Sequence, residues 1–90
     1  MLEKQIEAYL VRRVKEKGGL CLKFTSPQRR SVPDRLILWP GARAEFIECK
    51  STKGKCTPGQ LREHERLRAL GFPVSVINSK EEVDNYVCRP

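Results

Sequence analysis

Two carboxylates and one amine stand at a spacing that suits phosphate chemistry. Asp34 comes just before one apolar run, Glu48 lies near the end of the next run, and Lys50 follows two positions later. Side chains two apart on a strand point to the same face, so Glu48 and Lys50 project together while Cys49 points away. Two hard oxygen ligands and one ammonium group on one patch would suit a divalent cation and a phosphate group.

A β-hairpin would bring these three groups together. The apolar runs at residues 36–38 and 45–49 are separated by Pro40 and Gly41, a pair that marks a turn. If the two runs pair as antiparallel strands, Asp34 lies at the same open end of the hairpin as the other two groups. The pattern therefore predicts a site at the end of a sheet.

The other segments predict helices and strands around this hairpin. Residues 2–17 have helical periodicity and end at a Gly-Gly pair, and residues 20–25 are typical of a strand. Thr57, Pro58 and Gln60 give three agreeing signals for a helix start, namely an N-cap, a proline at the first position and a capping box. That helix runs to Leu70, a strand follows at residues 74–77, and a short helix runs from Lys80 to about residue 87. The predicted order is αβββαβα, a mixed sheet flanked by helices in one α/β domain spanning residues 1–90.

Charge and composition indicate a partner. Ninety residues carry 18 Lys and Arg against 11 Asp and Glu, a net charge of +7, which favours nucleic acid. No apolar stretch approaches the roughly 18 residues of a membrane span, and the N-terminus lacks the form of a signal peptide, so the expected location is cytoplasmic. The four cysteines have no zinc-site spacing, and reduced thiols are expected.

Several polar residues admit two interpretations. Glu7 falls at the border of the buried face of the first helix, where it either pairs with a basic residue or serves a metal site. Lys23 either is solvated on an edge strand or points into the site. Gln60 is explained by its capping box alone, and the single histidine, His64, is expected to be a packed or solvated side chain.

The combined pattern resembles a known nuclease family. Pro33-Asp34, followed after 13 residues by Glu48-Cys49-Lys50, is similar to the Pro-Asp…(Asp/Glu)-x-Lys signature of a large nuclease superfamily. From about Glu3 to Glu82, the chain resembles the VRR-NUC (virus-type replication-repair nuclease) branch of that superfamily. The matching positions, taken in order, are Glu7, Gly18-Gly19, Lys23-Phe24, Ser26-Pro27, Pro33-Asp34-Arg35, Glu48, Lys50, Gly54-Lys55, Gln60 and Gly71.

The resemblance implies a restriction-endonuclease-like core and a role for each site residue. Asp34 and Glu48 would bind Mg²⁺ or Mn²⁺, with the backbone carbonyl of Cys49 as a further ligand, and Glu7 would contribute directly or through water. Lys50 would be the catalytic lysine, and Gln60 would lie beside the site as well as capping its helix.

Two departures from the family pattern stand out. Ser31 occupies a position where relatives usually carry glycine, which questions the backbone shape of that loop. Cys49 replaces a commoner apolar residue, and since it should face the core, it should be tolerated.

The function implied is that of a structure-specific endonuclease acting as a homodimer on branched DNA such as four-way junctions. DNA contacts are expected from basic residues in and near the loops: Lys23, Arg29, Arg30, Arg35, Lys53 and Lys55. A catalytically inert basic module that binds DNA or a protein is the alternative. A sequence-specific restriction enzyme is disfavoured because the chain is very short for a base-reading apparatus.

Overall fold

The structure has the predicted order of elements, αβββαβα. It is a computed structural model that describes residues 1–89. The elements are α1 (Glu3–Glu16), β1 (Leu20–Lys23), β2 (Arg35–Trp39), β3 (Arg43–Cys49), α2 (Pro58–Ala69), β4 (Val74–Ile77) and α3 (Lys80–Val87). The first strand is shorter than predicted, because regular pairing ends at Lys23 rather than at residue 25.

The sheet has the strand order β1-β2-β3-β4. The first three strands form an antiparallel meander, and β4 lies parallel to β3 after the chain has passed through α2. The sheet is therefore mixed, and the predicted α/β architecture is confirmed. The predicted hairpin is present, with Arg35 opposite Ile47 and Trp39 opposite Arg43. Gly41 and Ala42 both adopt positive φ in its turn, at 86° and 60°.

The main core lies between one face of the sheet and the helices α1 and α3. Residues four apart on α1 point the same way, so its apolar stripe meets the alternate inward positions of the strands. Each such side chain stabilises the fold by about 1.5–3 kcal/mol when fully buried. The fully buried members include Ile6, Leu10, Val14, Ile37, Ile47 and Val83.

The Gly-Gly pair ends α1 and allows the hairpin to approach it. Gly18 adopts a positive φ of 89°, which suits a residue without Cβ. A Cβ at Gly19 would lie 2.7 Å from the Trp39 ring and 2.9 Å from Val14. The second glycine is therefore required by close packing rather than by its backbone angle.

On one face of the meander, the leucines of β1 and Leu38 of β2 are exposed. Cys21 packs against the core, whereas Leu20 and Leu22 on the opposite face of β1 are 53% and 39% exposed. Leu20 pairs with Leu38, which is also exposed, and Leu22 pairs with Leu36, so the four leucines form one apolar patch. Within residues 1–89, no helix combines the length and apolar character needed to cross a membrane.

Candidate active site

Asp34 is fixed at the entrance to β2 by hydrogen bonds to both neighbouring strands. The Phe24 N–H donates to the backbone oxygen of Asp34 at 2.8 Å. The Cys49 N–H donates to Asp34 Oδ2 at 3.1 Å, so the carboxylate reaches across to the end of β3. Pro33, which is fully buried, immediately precedes it and fixes the direction of entry. Asp34 thus lies beside Glu48, as the hairpin predicts.

Glu48 is the buried centre of the site, with only 1% of its surface exposed. Its Oε2 lies 3.3 Å from Lys50 Nζ and accepts a hydrogen bond from Gln60 Nε2, also at 3.3 Å. Its Oε1 is buried and has no hydrogen-bond partner among residues 1–89. Burial, and then the negative charge of Asp34, raise the pKa of Glu48 to about 7, although the Lys50 charge opposes this.

Lys50 and Gln60 reach Glu48 from different elements. The Lys50 N–H donates to the Ile77 carbonyl at 2.9 Å, which continues the pairing of β3 with β4 and keeps Lys50 on the Glu48 side. Gln60 completes the predicted capping box with Thr57, since each backbone N–H donates to the side-chain oxygen of the other residue. The amide nitrogen of the same Gln60 side chain contacts Glu48, so one residue both caps α2 and lines the site.

Glu7 forms an ion pair with Arg35, the residue that follows Asp34. It accepts a hydrogen bond at 2.6 Å from Arg35 Nε, and both side chains are 17% exposed. Arg35 is paired with Ile47, a core residue, so its side chain points toward α1 rather than toward the Glu48 face. The structure therefore joins Glu7 to Arg35, and the expected contribution of Glu7 to a metal site stays a prediction. Arg35, expected to contact DNA, is used in this internal ion pair.

Only some of the basic residues expected to contact DNA are free of internal ion pairs. Arg29 donates two hydrogen bonds to Glu63 on α2, at 2.8 and 2.9 Å, and this contact lowers the pKa of Glu63. The expected DNA-binding role of Arg29 thus competes with an internal contact. Within residues 1–89, four of the six expected cations are exposed and have no ion pair: Lys23, Arg30, Lys53 and Lys55.

His64 is packed, which is one of the two expected alternatives, but the sequence did not indicate that it packs beside Glu48. It is completely buried, with Nε2 3.9 Å from Glu48 Oε1, and neither ring nitrogen has a hydrogen-bond partner among residues 1–89. Burial, followed by the charges of Arg68 and Lys50, lowers the pKa of His64 and favours the neutral ring. A signal was available, because His64 follows Gln60 by four residues and so shares its helix face.

These donors fit a hard divalent ion. Within the described part of the chain, no group of three or more His, Cys, Asp or Glu side chains is placed to hold a metal ion, and the two carboxylates that converge are Asp34 and Glu48. Mg²⁺ commonly takes one or two carboxylates and keeps several waters, and Mn²⁺ accepts the same oxygen donors. Asp34 and Glu48 satisfy that requirement, and the buried, unpartnered Glu48 Oε1 is an oxygen that a cation would satisfy.

The backbone conformation at Ser31 bears on its departure from the family pattern. Its φ is 66°, a left-handed conformation that glycine adopts without strain. The loop before Asp34 therefore keeps the backbone shape that glycine would favour, even though it carries a side chain. Cys49, the other departure, is fully buried in the core, as expected.

Comparisons with known proteins agree with the site. The chain matches none of the family models with which it was compared. It is 51% identical over 79 residues to "Putative nuclease p44" of Acyrthosiphon pisum secondary endosymbiont phage 1, a match that covers 88% of this chain and 85% of the relative. A solved structure described as "VRR_NUC domain" superposes with a TM-score of 0.87 at 34% identity, covering 97% of this chain and 96% of the other. The chain therefore belongs to the VRR_NUC domain family, as its sequence resemblance predicts, and is a nuclease.

Proposed function

We propose that this nuclease is a Mg²⁺- or Mn²⁺-dependent endonuclease that hydrolyses phosphodiester bonds in branched DNA. The observation that carries the proposal is the convergence of Asp34, Glu48 and Lys50 at one end of the sheet, with Glu48 buried and one of its oxygens unpartnered. A protein that only binds DNA would gain nothing from a buried carboxylate beside its phosphate-binding surface, because a carboxylate repels phosphate. A carboxylate pair that holds a cation accounts for it.

Each side chain has a distinct part in the proposed reaction. Asp34 and Glu48 would hold the ion together with the Cys49 carbonyl, and Glu7 would contribute through water from its place beside Arg35. When bound, the ion supplies Lewis-acid polarisation of the phosphoryl oxygen and lowers the pKa of a water molecule.

Lys50 and Gln60 act around the carboxylates. Lys50 lies close to Glu48 with 14% of its side chain exposed, so its ammonium group can orient the attacking water and stabilise negative charge on the transition state. Gln60 holds Glu48 Oε2 from the first turn of α2, which restricts the rotation of that carboxylate.

The four unpaired cations, Lys23, Arg30, Lys53 and Lys55, would grip the DNA backbone. They lie in the segments that lead into and out of the site, and amines and guanidinium groups bind phosphates without reading bases. Binding should accordingly be salt-sensitive, with log K falling by about 0.9 per log unit of salt for each phosphate neutralised.

The proposal includes a homodimer. The apolar patch formed by Leu20, Leu22, Leu36 and Leu38, of which all but the half-buried Leu36 are exposed, supports it, because contiguous apolar surface often marks a protein interface. A two-fold dimer would present two equivalent sites to a branched substrate with similar symmetry. The phage relative supports action in the cytoplasm of a bacterial or phage-infected cell.

The decisive experiment compares catalytic variants on a panel of DNA shapes. Wild type, Asp34→Ala and Lys50→Ala are incubated with linear, flapped and four-way DNA in Mg²⁺, Mn²⁺ or EDTA. Both variants should lose metal-dependent cleavage while still retarding the same DNA in gels. Lys15→Ala is the matched control, since Lys15 is an exposed lysine in the last turn of α1. Unchanged cutting by both variants would remove the assignment.

Other outcomes separate the parts of the proposal. Binding without cleavage by wild type, in either metal, would favour the inert module. Equal cutting of linear and branched DNA would remove the structure preference alone. Sedimentation equilibrium of wild type and Leu22→Asp tests the dimer, and a wild-type monomer at micromolar concentration would argue against it.

A further inference from the structure

His64 is buried beside Glu48 in a way that packing alone does not explain. His64 is 0% exposed and Glu48 is 1% exposed, and both imidazole nitrogens and Glu48 Oε1 lack partners among residues 1–89. Burying polar atoms without hydrogen bonds opposes folding, and an apolar side chain would fill this position on α2 without that cost. The placement suggests that the ring serves the carboxylate beside it.

The hydrogen-bonding capacity of the two groups is complementary. A neutral imidazole has one N–H, and its Nε2 faces Glu48 Oε1 at 3.9 Å, so a closure of about 1 Å would make a normal hydrogen bond. Glu48 Oε2 is already occupied by Lys50 and Gln60. Oε1 has two lone pairs available, one for an ion and one for His64.

We infer that His64 is a positioning residue that donates its Nε2–H to Glu48 Oε1 and holds that carboxylate in place for the divalent ion. This inference rests on the proposed function. Gln60 and His64, four residues apart on α2, would then hold the two oxygens of the same carboxylate from one helix face. Hydrogen-bonded partners of metal ligands typically contribute 10–100-fold to metal affinity.

A spectroscopic test uses the wild-type protein. His64 is the only histidine in the chain, so its ring ¹⁵N and ¹H signals need no assignment by mutation. The expected result, with Mg²⁺ present, is the Nε2–H tautomer with a slowly exchanging Nε2 proton. An Nδ1–H tautomer would overturn the inference, because Nε2 would then have no proton to donate.

A matched pair of variants tests the donor. His64→Met and His64→Gln have side chains of similar length, but only Gln carries an N–H donor at the ε position. The dissociation constant for Mg²⁺ or Mn²⁺ is measured by titration calorimetry, alongside thermal unfolding in EDTA. We expect about 10–100-fold weaker metal binding for His64→Met, with most of the affinity retained in His64→Gln. The metal concentration for half-maximal cleavage should rise by the same factor.

The outcomes distinguish this inference from the proposed function. Wild-type affinity in His64→Met, or equal losses in both variants with intact folds, would overturn the positioning role and leave the metal site standing. If His64→Met does not fold, the tautomer of the wild-type ring decides. Wild-type protein that binds no divalent ion would instead remove the proposed metal site itself.

Discussion

Although the lowered pKa of His64 has the opposite effect below about pH 6.5, Glu48 should make the metal-free protein less stable as the pH rises from 5 to 8. Its pKa is raised from 4.5 to about 7 in the folded protein by burial and by Asp34. Between these two values the folded state binds a proton that the unfolded chain has released. Stability falls with increasing pH wherever the folded state binds more protons.

The size of the effect follows from the two pKa values. A gap from 4.5 to about 7, at about 1.4 kcal/mol for each pKa unit, limits the effect to roughly 3 kcal/mol. Because Glu48 is only 1% exposed, solvent screening does not reduce it much. Between pH 5 and pH 8 we expect the free energy of unfolding to fall by roughly 2–3 kcal/mol through this group.

The assay is urea unfolding in EDTA at several pH values, with Glu48→Gln as the matched variant. Gln has nearly the same shape and does not ionise in this range, so the difference between the two proteins isolates Glu48 from other titrating groups. The free energy of unfolding of the variant should increase relative to that of wild type as the pH rises. Adding Mg²⁺ should reverse the trend for wild type alone, since the ion requires the ionised carboxylate.

Parallel pH dependence of wild type and Glu48→Gln would contradict the titration of Glu48. If the curves of wild type and Glu48→Gln run parallel from pH 5 to pH 8, the carboxylate does not titrate in this window. Glu48 would then be adequately stabilised as an anion by Lys50 and Gln60, and its oxygen would not need a cation. If Mg²⁺ changed the stability of both proteins by the same amount, the effect of the ion would not depend on the Glu48 carboxylate, which would also contradict the argument.

Two further predictions concern backbone positions. Gly19→Ala should destabilise the protein by about 1–3 kcal/mol in urea unfolding, because its Cβ would overlap the Trp39 ring. Gly41→Ala is the control, since a Cβ there meets open space and only the left-handed backbone is strained; a smaller loss for Gly19→Ala than for this control would mean that the ring moves aside. Ser31→Gly should raise the free energy of unfolding by up to about 1 kcal/mol by relieving a left-handed serine. A loss of stability in that variant would show that the serine side chain contributes more than the strain costs.

Local signals in the sequence were sufficient for the fold. The Pro-Gly turn, the Gly-Gly break and the Thr57 capping box each act over a few residues, and the structure shows all three. The meeting of Asp34 with the end of β3 also followed from strand alternation and a short turn. These features depend on geometry that the chain sets locally.

Long-range pairings could not be predicted in the same way. Arg29 and Arg35 form internal ion pairs with Glu63 and Glu7, which are 34 and 28 residues away, and their expected DNA contacts stay a prediction. Whether a loop arginine meets solvent or a distant carboxylate depends on how helices pack on the sheet, which local periodicity does not report. The contact of His64 with Glu48 has the same origin, since the helix face that His64 shares with Gln60 indicates it only once Gln60 is known to reach Glu48.

The contact between Arg29 and Glu63 has an evolutionary consequence. Arg29 precedes Asp34 by five residues and Glu63 immediately precedes His64, so this surface pair ties the loop that leads to one carboxylate to the helix beside the other. Loss of Arg29 would leave Glu63, which is only 6% exposed, with Arg66 at 3.6 Å as its remaining counter-charge. Homologues should therefore substitute these two residues together, and their covariation would record the ion pair, which neither position shows by itself.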